Sequence, residues 1–359
     1  MSFSTSYVEK RTAKNRFFNQ INIIINWNSV SNIINKHYTV GLSATGTPST
    51  DGLLLFKMLL IGIWYGLSDR DVEDMVSENL SAMKFCGLQL ENNVPDHTVL
   101  SRFRTKLTEE NAFEPLLIEI NKQLEAHEII VKTGCKIDAT ITESLRRPKK
   151  KNTFEIAEDR KEDEVSEGEV NKQTSDIELI KKVEPGIDSE ARFIKKAGKT
   201  MFGYKMHAST DENGLVIALT TTPANLHDSK EFEKLIEKSA LPKGSSTYAD
   251  KAYRSKENSK VLKDNNLRNR IHYKAVRGKS LTKWQKQFNK RVSTFRYTVE
   301  RTFGSIQKWF GAGIARYVGL AKTNTQHLLE SICYNLKRAP RLIIETEIRK
   351  QQIQQIGYQ

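Results

Sequence analysis

Cysteine is scarce in this sequence: Cys86, Cys135 and Cys333 are the only three in 359 residues, and none stands in a Cys-x-x-Cys spacing. That excludes a disulfide scaffold and a cysteine-rich structural zinc site, and it fits a reducing compartment. Long apolar runs are missing too. The longest, Leu53 to Tyr65, is interrupted by Lys57 and falls short of the ~20 residues that cross a bilayer, so it reads as a core helix and no membrane is expected. Met1 to Arg16 contains no apolar stretch of the secretory kind, and the expected location is the cytoplasm. A Walker loop, a His-Glu-x-x-His pair and a Gly-x-Ser-x-Gly elbow are all absent. Nucleotide hydrolysis, zinc proteolysis and serine esterase chemistry therefore have no support.

What is present is positive charge, unevenly placed. The formal net charge is +14, yet residues 251–359 alone hold 24 Lys/Arg against 6 Asp/Glu. The rest of the chain is close to neutral, so the excess belongs to its last third. One basic third beside a neutral remainder suggests a face for nucleic acid rather than a solubility device.

Residues 1 to about 130 read as helical. Ser68 and Asp71 resemble a capping box, and Asp96 or Thr98 caps a second helix bearing Val99, Leu100, Phe103 and Leu107. These two helices, with a turn at Gly87, read either as a helix-turn-helix or as part of a plain bundle. From Cys135 to Thr142 the pattern alternates and is rich in β-branched residues, which marks a strand. Gly203–210 and 215–222 form a hairpin about Asn213-Gly214. Asp228 or Ser229 caps a helix through Ile236; at this point Asp228 reads as a cap and His227 as a packing residue rather than as site groups. Ser245 to Asp250 is a short strand, Ser255 to Lys263 a helix, Arg270 to Ala275 extended and Phe295 to Phe310 helical. The order gives an α/β fold with a sheet of mixed direction.

Glu155 to Glu178 holds ten acidic against three basic residues and almost no aromatics, so it reads as a flexible acidic insertion within about 151–182. The basic run Arg146-Arg147-Pro148-Lys149-Lys150-Lys151 precedes it.

Three carboxylates stand out by position: Asp138 inside the first strand, Asp250 at the end of another, and Glu300 in a basic helix. A buried carboxylate costs several kcal/mol without a partner. A hard divalent cation is one partner, and oxygen ligands without histidine or cysteine favour magnesium or manganese. The plain alternative is that Lys136, Thr140 or a backbone amide satisfies Asp138, and that Arg296, one turn earlier, satisfies Glu300.

Four segments then carry a resemblance: Ile137-Asp138-Ala139-Thr140; Thr222-Pro223-Ala224-Asn225-Leu226-His227-Asp228-Ser229; Tyr248-Ala249-Asp250-Lys251-Ala252-Tyr253; and Val299-Glu300-Arg301-Thr302-Phe303-Gly304. In that order they resemble bacterial insertion-sequence transposases of the DDE class, the IS-five family in particular, over roughly residues 40–340. The segment from Val94 to Arg104 is similar to that family's N-terminal helical region. The resemblance implies an RNase H-like catalytic domain over 131–345, an N-terminal helical domain over 1–130 that binds DNA or dimerises, and a tail over 346–359. It implies that Asp138, Asp250 and Glu300 hold two magnesium ions, with manganese able to substitute. The implied substrate is double-stranded DNA, cut at the element's inverted repeats and joined through 3′-hydroxyl ends to target DNA by a homodimer at the bacterial nucleoid. A standalone metal-dependent endonuclease and a non-catalytic DNA-binding protein are the alternatives.

Around Glu300 the family pattern Tyr-x2-Arg-x3-Glu-x6-Lys is kept at Arg296 and Glu300 but has Ser293 for Tyr and Gln307 for Lys, with Lys308 one place on. Arg296, Lys308, Lys251 and Arg301 are the expected DNA contacts.

Overall fold

The computed structural model describes residues 16–38, 50–148, 154–156, 179–181, 186–196, 198–276, 278 and 280–356. Of the acidic insertion only the short strands at its ends are described. They are β2 (Phe154–Ile156) and β3 (Leu179–Lys181), which pair antiparallel. The expectation of flexibility concerns residues outside the described ones, as do Lys149 to Lys151 of the basic run.

Among the described residues seven helices precede the sheet: α1 (Arg16–Ile24), α2 (Trp27–His37), α3 (Gly52–Tyr65), α4 (Asp69–Glu78), α5 (Leu80–Cys86), α6 (His97–Glu109) and α7 (Phe113–Ala126). Their ends follow from their caps. Asp51 accepts from the amides of Leu53 and Leu54, and Gly66 at φ +69° closes α3 in the left-handed conformation glycine takes without strain. The Ser68–Asp71 capping box is formed, and Asp96, not Thr98, caps α6. Between those two helices lies a third, α5, ended by Gly87, so the expected pair does not meet across a Gly87 turn.

Eleven of the fourteen residues of α3 are buried, Lys57 among them. Its ammonium sits 4.5 Å from the Trp27 ring centroid and 5.1 Å from that of Phe85, and burial lowers its pKa to about 8. Among the described residues no single helix is long and apolar enough to cross a membrane.

The main sheet has β1 (Gly134–Glu143) at its centre. On one side β5 (Lys199–Thr210) runs antiparallel to it and is flanked by β4 (Arg192–Lys196) and β6 (Val216–Pro223); on the other, β7 (Ser246–Ala249) and β8 (Arg268–Ile271) run parallel. This mixed order, with helices on both faces, is an RNase H-like arrangement. The β5–β6 hairpin forms as expected, with Gly214 at φ +82°. Gly203 is required by close approach, since a Cβ there would meet the Thr142 carbonyl oxygen at 2.1 Å. β8 lies two residues earlier than the sequence pattern suggested, where its register against β7 completes the ladder.

Successive side chains of β1 face opposite sides, and the two sides differ in kind. Cys135 and Ile137 pack against Phe232, Leu235 and Ile236 of α8 (Phe232–Ser239) and Leu262 of α9 (Lys256–Asp264). Fully burying such a side chain contributes ~1.5–3 kcal/mol. Lys136, Asp138 and Thr140 face the other way, toward α10 (Lys283–Phe310).

α10 begins twelve residues before the expected Phe295, at a capping box of Thr282 and Gln285. The apolar stripe of the second half in fact continues back through Phe295, Val292 and Phe288 to Trp284 at helical spacing, with Trp284 and Phe295 left exposed. The last helix, α11 (Leu320–Ile356), packs on β6, α7 and α3, and one apolar core runs from the N-terminal helices through the sheet to α10 and α11.

Candidate active site

Strand register brings the first two carboxylates together. Ile137 of β1 is paired with Ala249 of the parallel β7, so the next residues, Asp138 and Asp250, emerge side by side. Asp138 is three-quarters buried in the sheet; Asp250 stands just past the end of β7 and accepts from the Lys251 amide at 2.6 Å. α10 crosses this point and contributes two residues one turn apart, Arg296 and Glu300.

All three acids converge on the Arg296 guanidinium. Its Nη2 is 3.1 Å from Asp138 Oδ2 and 3.4 Å from Glu300 Oε1, and its Nη1 is 3.4 Å from Asp250 Oδ1. Its Nε is buried without a hydrogen-bond partner. Asp138 Oδ1 takes the Ala139 amide at 2.9 Å. Burial pushes the Asp138 carboxyl above its ordinary pKa, against the pull of Arg296. Lys136 does not serve it: the ammonium donates instead to the carbonyls of Asp211 and Glu212, both at 3.1 Å. Thr140 is engaged by Gln307, whose Nε2 donates to its hydroxyl at 2.9 Å.

One residue at the site escaped the sequence reading. His272 Nδ1 lies 3.5 Å from Asp250 Oδ1, its ring largely buried, and burial and the nearby Arg296 lower its pKa. The signal for it is register, since Ile271 pairs with Ala249 and the next residue therefore neighbours Asp250.

Two expectations are corrected. The helix after Thr222 is capped by neither Asp228 nor Ser229. His227 Nδ1 accepts from the Ser229 amide, and His227 is exposed rather than packed. Asp228 instead pairs with the buried Lys205 at 2.7 Å. Lys205 carries charge into the sheet and is anchored further by the Leu226 carbonyl.

The expected DNA contacts are dispersed. Arg296 is enclosed by the acids, Lys251 is exposed beside Asp250, and Lys308 is exposed further along α10. Arg301 reaches the β5–β6 turn, donating to the Asn213 carbonyl at 3.3 Å.

The donor set suits a hard divalent cation: three carboxylates, no sulfur, and a point where positive charge is already drawn. As arranged, the guanidinium stands between the acids, and among the described residues no three Asp, Glu, His or Cys side chains enclose a metal site.

Comparison with known proteins bears on this geometry. Residues 168–336 match the family described as Transposase DDE domain, and residues 6–106 match Transposase domain (DUF772). The first match contains Asp250, Arg296 and Glu300, while Asp138 lies ahead of it. The chain is also 36% identical over 240 residues to the transposase for insertion sequence element IS1106 of Neisseria meningitidis serogroup B, spanning 66% of this chain and 76% of that one. The chain belongs to the insertion-sequence DDE transposases. No solved structure matches it. As a member of this class it is an enzyme that acts on DNA, and the class generally uses divalent metal ions.

Proposed function

We propose that this transposase binds the terminal inverted repeats of its element, cuts DNA phosphodiester bonds at Asp138, Asp250 and Glu300, and joins the freed 3′-hydroxyls to target DNA. The observation that carries this reading is the convergence of the three carboxylates on one guanidinium from two neighbouring strands and a crossing helix. Three acids drawn to one point repel one another, and a cation among them relieves that repulsion.

The three carboxylates would hold magnesium, or manganese in its place; when bound, such ions activate a water or 3′-hydroxyl and stabilise the leaving 3′-oxygen. Asp138 and Asp250 are positioned by strand register and Glu300 by the helix. The chain's task is placement, which is what in-line displacement at phosphorus most requires. Arg296, once free of the acids, is placed to neutralise a phosphate oxygen beside them. Lys251, Arg301 and Lys308 are the proposed contacts to the DNA backbone, and counterion release from the basic last third would supply affinity. The reading extends to the IS-five family, to a helical region over 1–130 that serves DNA binding or pairing of two copies, and to action as a homodimer on nucleoid DNA.

The test is incubation of the purified full chain with duplex carrying the gene's own flanking sequence, in magnesium or in EDTA, followed on denaturing gels. The expected result is metal-dependent cutting at the repeat end and a joined product with target DNA. Cutting without joining would make the protein an endonuclease. Binding without cutting in magnesium would overturn the catalytic reading.

A further inference from the structure

The first half of α10 presents aromatic rings to solvent. Trp284 is 60% exposed and Phe295 50%, and their arrangement is ordered. Trp284 stacks on Phe288 with centroids 5.5 Å apart and planes inclined at 26°, and Phe295 stacks on Tyr248 of β7 at 5.0 Å and 26°. Tyr273 meets Trp284 and Phe288 edge-on, at 5.6 and 5.2 Å, and the Arg254 guanidinium lies 3.7 Å from the Tyr273 ring centroid.

Tyr248, Trp284, Phe288 and Phe295 wall a cavity of about 480 Å³ whose polar lining among the described residues is Arg270, Gln287 and Arg291. Tyr248 and Arg270 are register partners on β7 and β8. The cavity adjoins the carboxylates through the chain itself: Asp250 is two residues beyond Tyr248, and Phe295 immediately precedes Arg296.

We propose that this cavity receives unpaired nucleobases of the DNA strand leading to the carboxylates. The inference rests on the proposed action on DNA and adds a subsite to it. Exposed flat rings offer faces on which a base stacks whatever its identity, and arginines beside them meet the phosphates between stacked bases. Inside a duplex those faces are already covered by neighbouring bases, so such a cavity selects a strand that is frayed, cut or turned out of the helix.

The experiment measures binding of a fluorescent oligothymidylate of about a dozen nucleotides, and of a duplex of equal length, to the full chain in EDTA. Wild type is expected to bind the single strand. Trp284→Ala should weaken that binding about tenfold, within the range a lost base stack produces, and alter duplex binding by less than about twofold. Trp284→Phe should restore most of the loss, and Arg270→Gln should lower the salt slope for the single strand by about one. Phe295→Ala, on the other stacked pair, repeats the test should Trp284→Ala melt abnormally. Equal losses on both DNAs, no loss on the single strand, or no single-strand binding by wild type would overturn the proposal. Because the measurement contains no metal, it stands apart from the catalytic reading.

Discussion

Arg296 Nη2 lies 3.1 Å from Asp138 Oδ2, across an interface between the central strand and the helix that also bears Glu300. The most buried of the three acids is thereby neutralised by a side chain with a partly unpaired guanidinium, since its Nε has no acceptor. On the proposed reading a divalent cation would compete with this guanidinium for the same carboxylates.

That competition is measurable by thermal melting. Without metal, Arg296→Gln should be less stable than wild type, by about 1–3 kcal/mol, because buried carboxyl oxygens lose their partner. Addition of magnesium should raise the melting temperature of the variant by more degrees than that of wild type. In cleavage assays Arg296→Ala should slow cutting by about tenfold or more, while its DNA affinity changes by less than about threefold. Equal magnesium shifts in both proteins would show that the guanidinium and the metal do not share ligands.

Lys308 and Gln307 separate by face. Gln307 is held to the Thr140 hydroxyl at 2.9 Å, whereas Lys308 is exposed to solvent. Lys308→Ala should therefore weaken DNA binding and lower its salt slope by about one, with a smaller effect from Gln307→Ala. Anisotropy titrations at several salt concentrations check this, and a larger loss for Gln307→Ala would place the DNA on the other face.

Glu330 of α11 is fully buried. Gln326 donates to its Oε1 at 2.8 Å, but its Oε2 has no partner, and burial raises its pKa to about 8. Between the ordinary carboxylate pKa and that value the native chain keeps a proton that the unfolded chain has released, so stability falls as pH rises through this window. Glu330→Gln should remove that fall. Denaturation at pH 5 and pH 8 should find the variant close to wild type at the lower pH and more stable at the higher one, by up to a few kcal/mol. An unchanged pH dependence would show that Glu330 ionises in the native state.

Much of this was legible in the residues. Ser68 and Asp96 are local caps, and a cap depends only on neighbours within three positions. The Asn213-Gly214 turn and the alternation along β1 are equally local. The three acids could be marked by their places on strands and helix, and by resemblance. What joins them was not local: Arg296 reads from spacing alone as a partner of Glu300, and only the crossing of α10 over β1 and β7 brings it to Asp138 and Asp250. His272 depended on register. The early start of α10 was legible too: Trp284, Phe288, Val292, Phe295 and Val299 recur at helical spacing behind the Thr282–Gln285 box, although Trp284 and Phe295 stay outside the core.

The most direct test of the central claim compares wild type with Asp138→Asn, Asp250→Asn and Glu300→Gln for magnesium-dependent cutting of duplex that carries the element's end. Each variant should melt like a folded protein, bind the duplex within about threefold of wild type and lose cutting by a factor of about a thousand or more, since each removes a charged ligand from one site. Near-wild-type cutting by any one of the three would remove that residue from the site, and retention by all three would contradict the account.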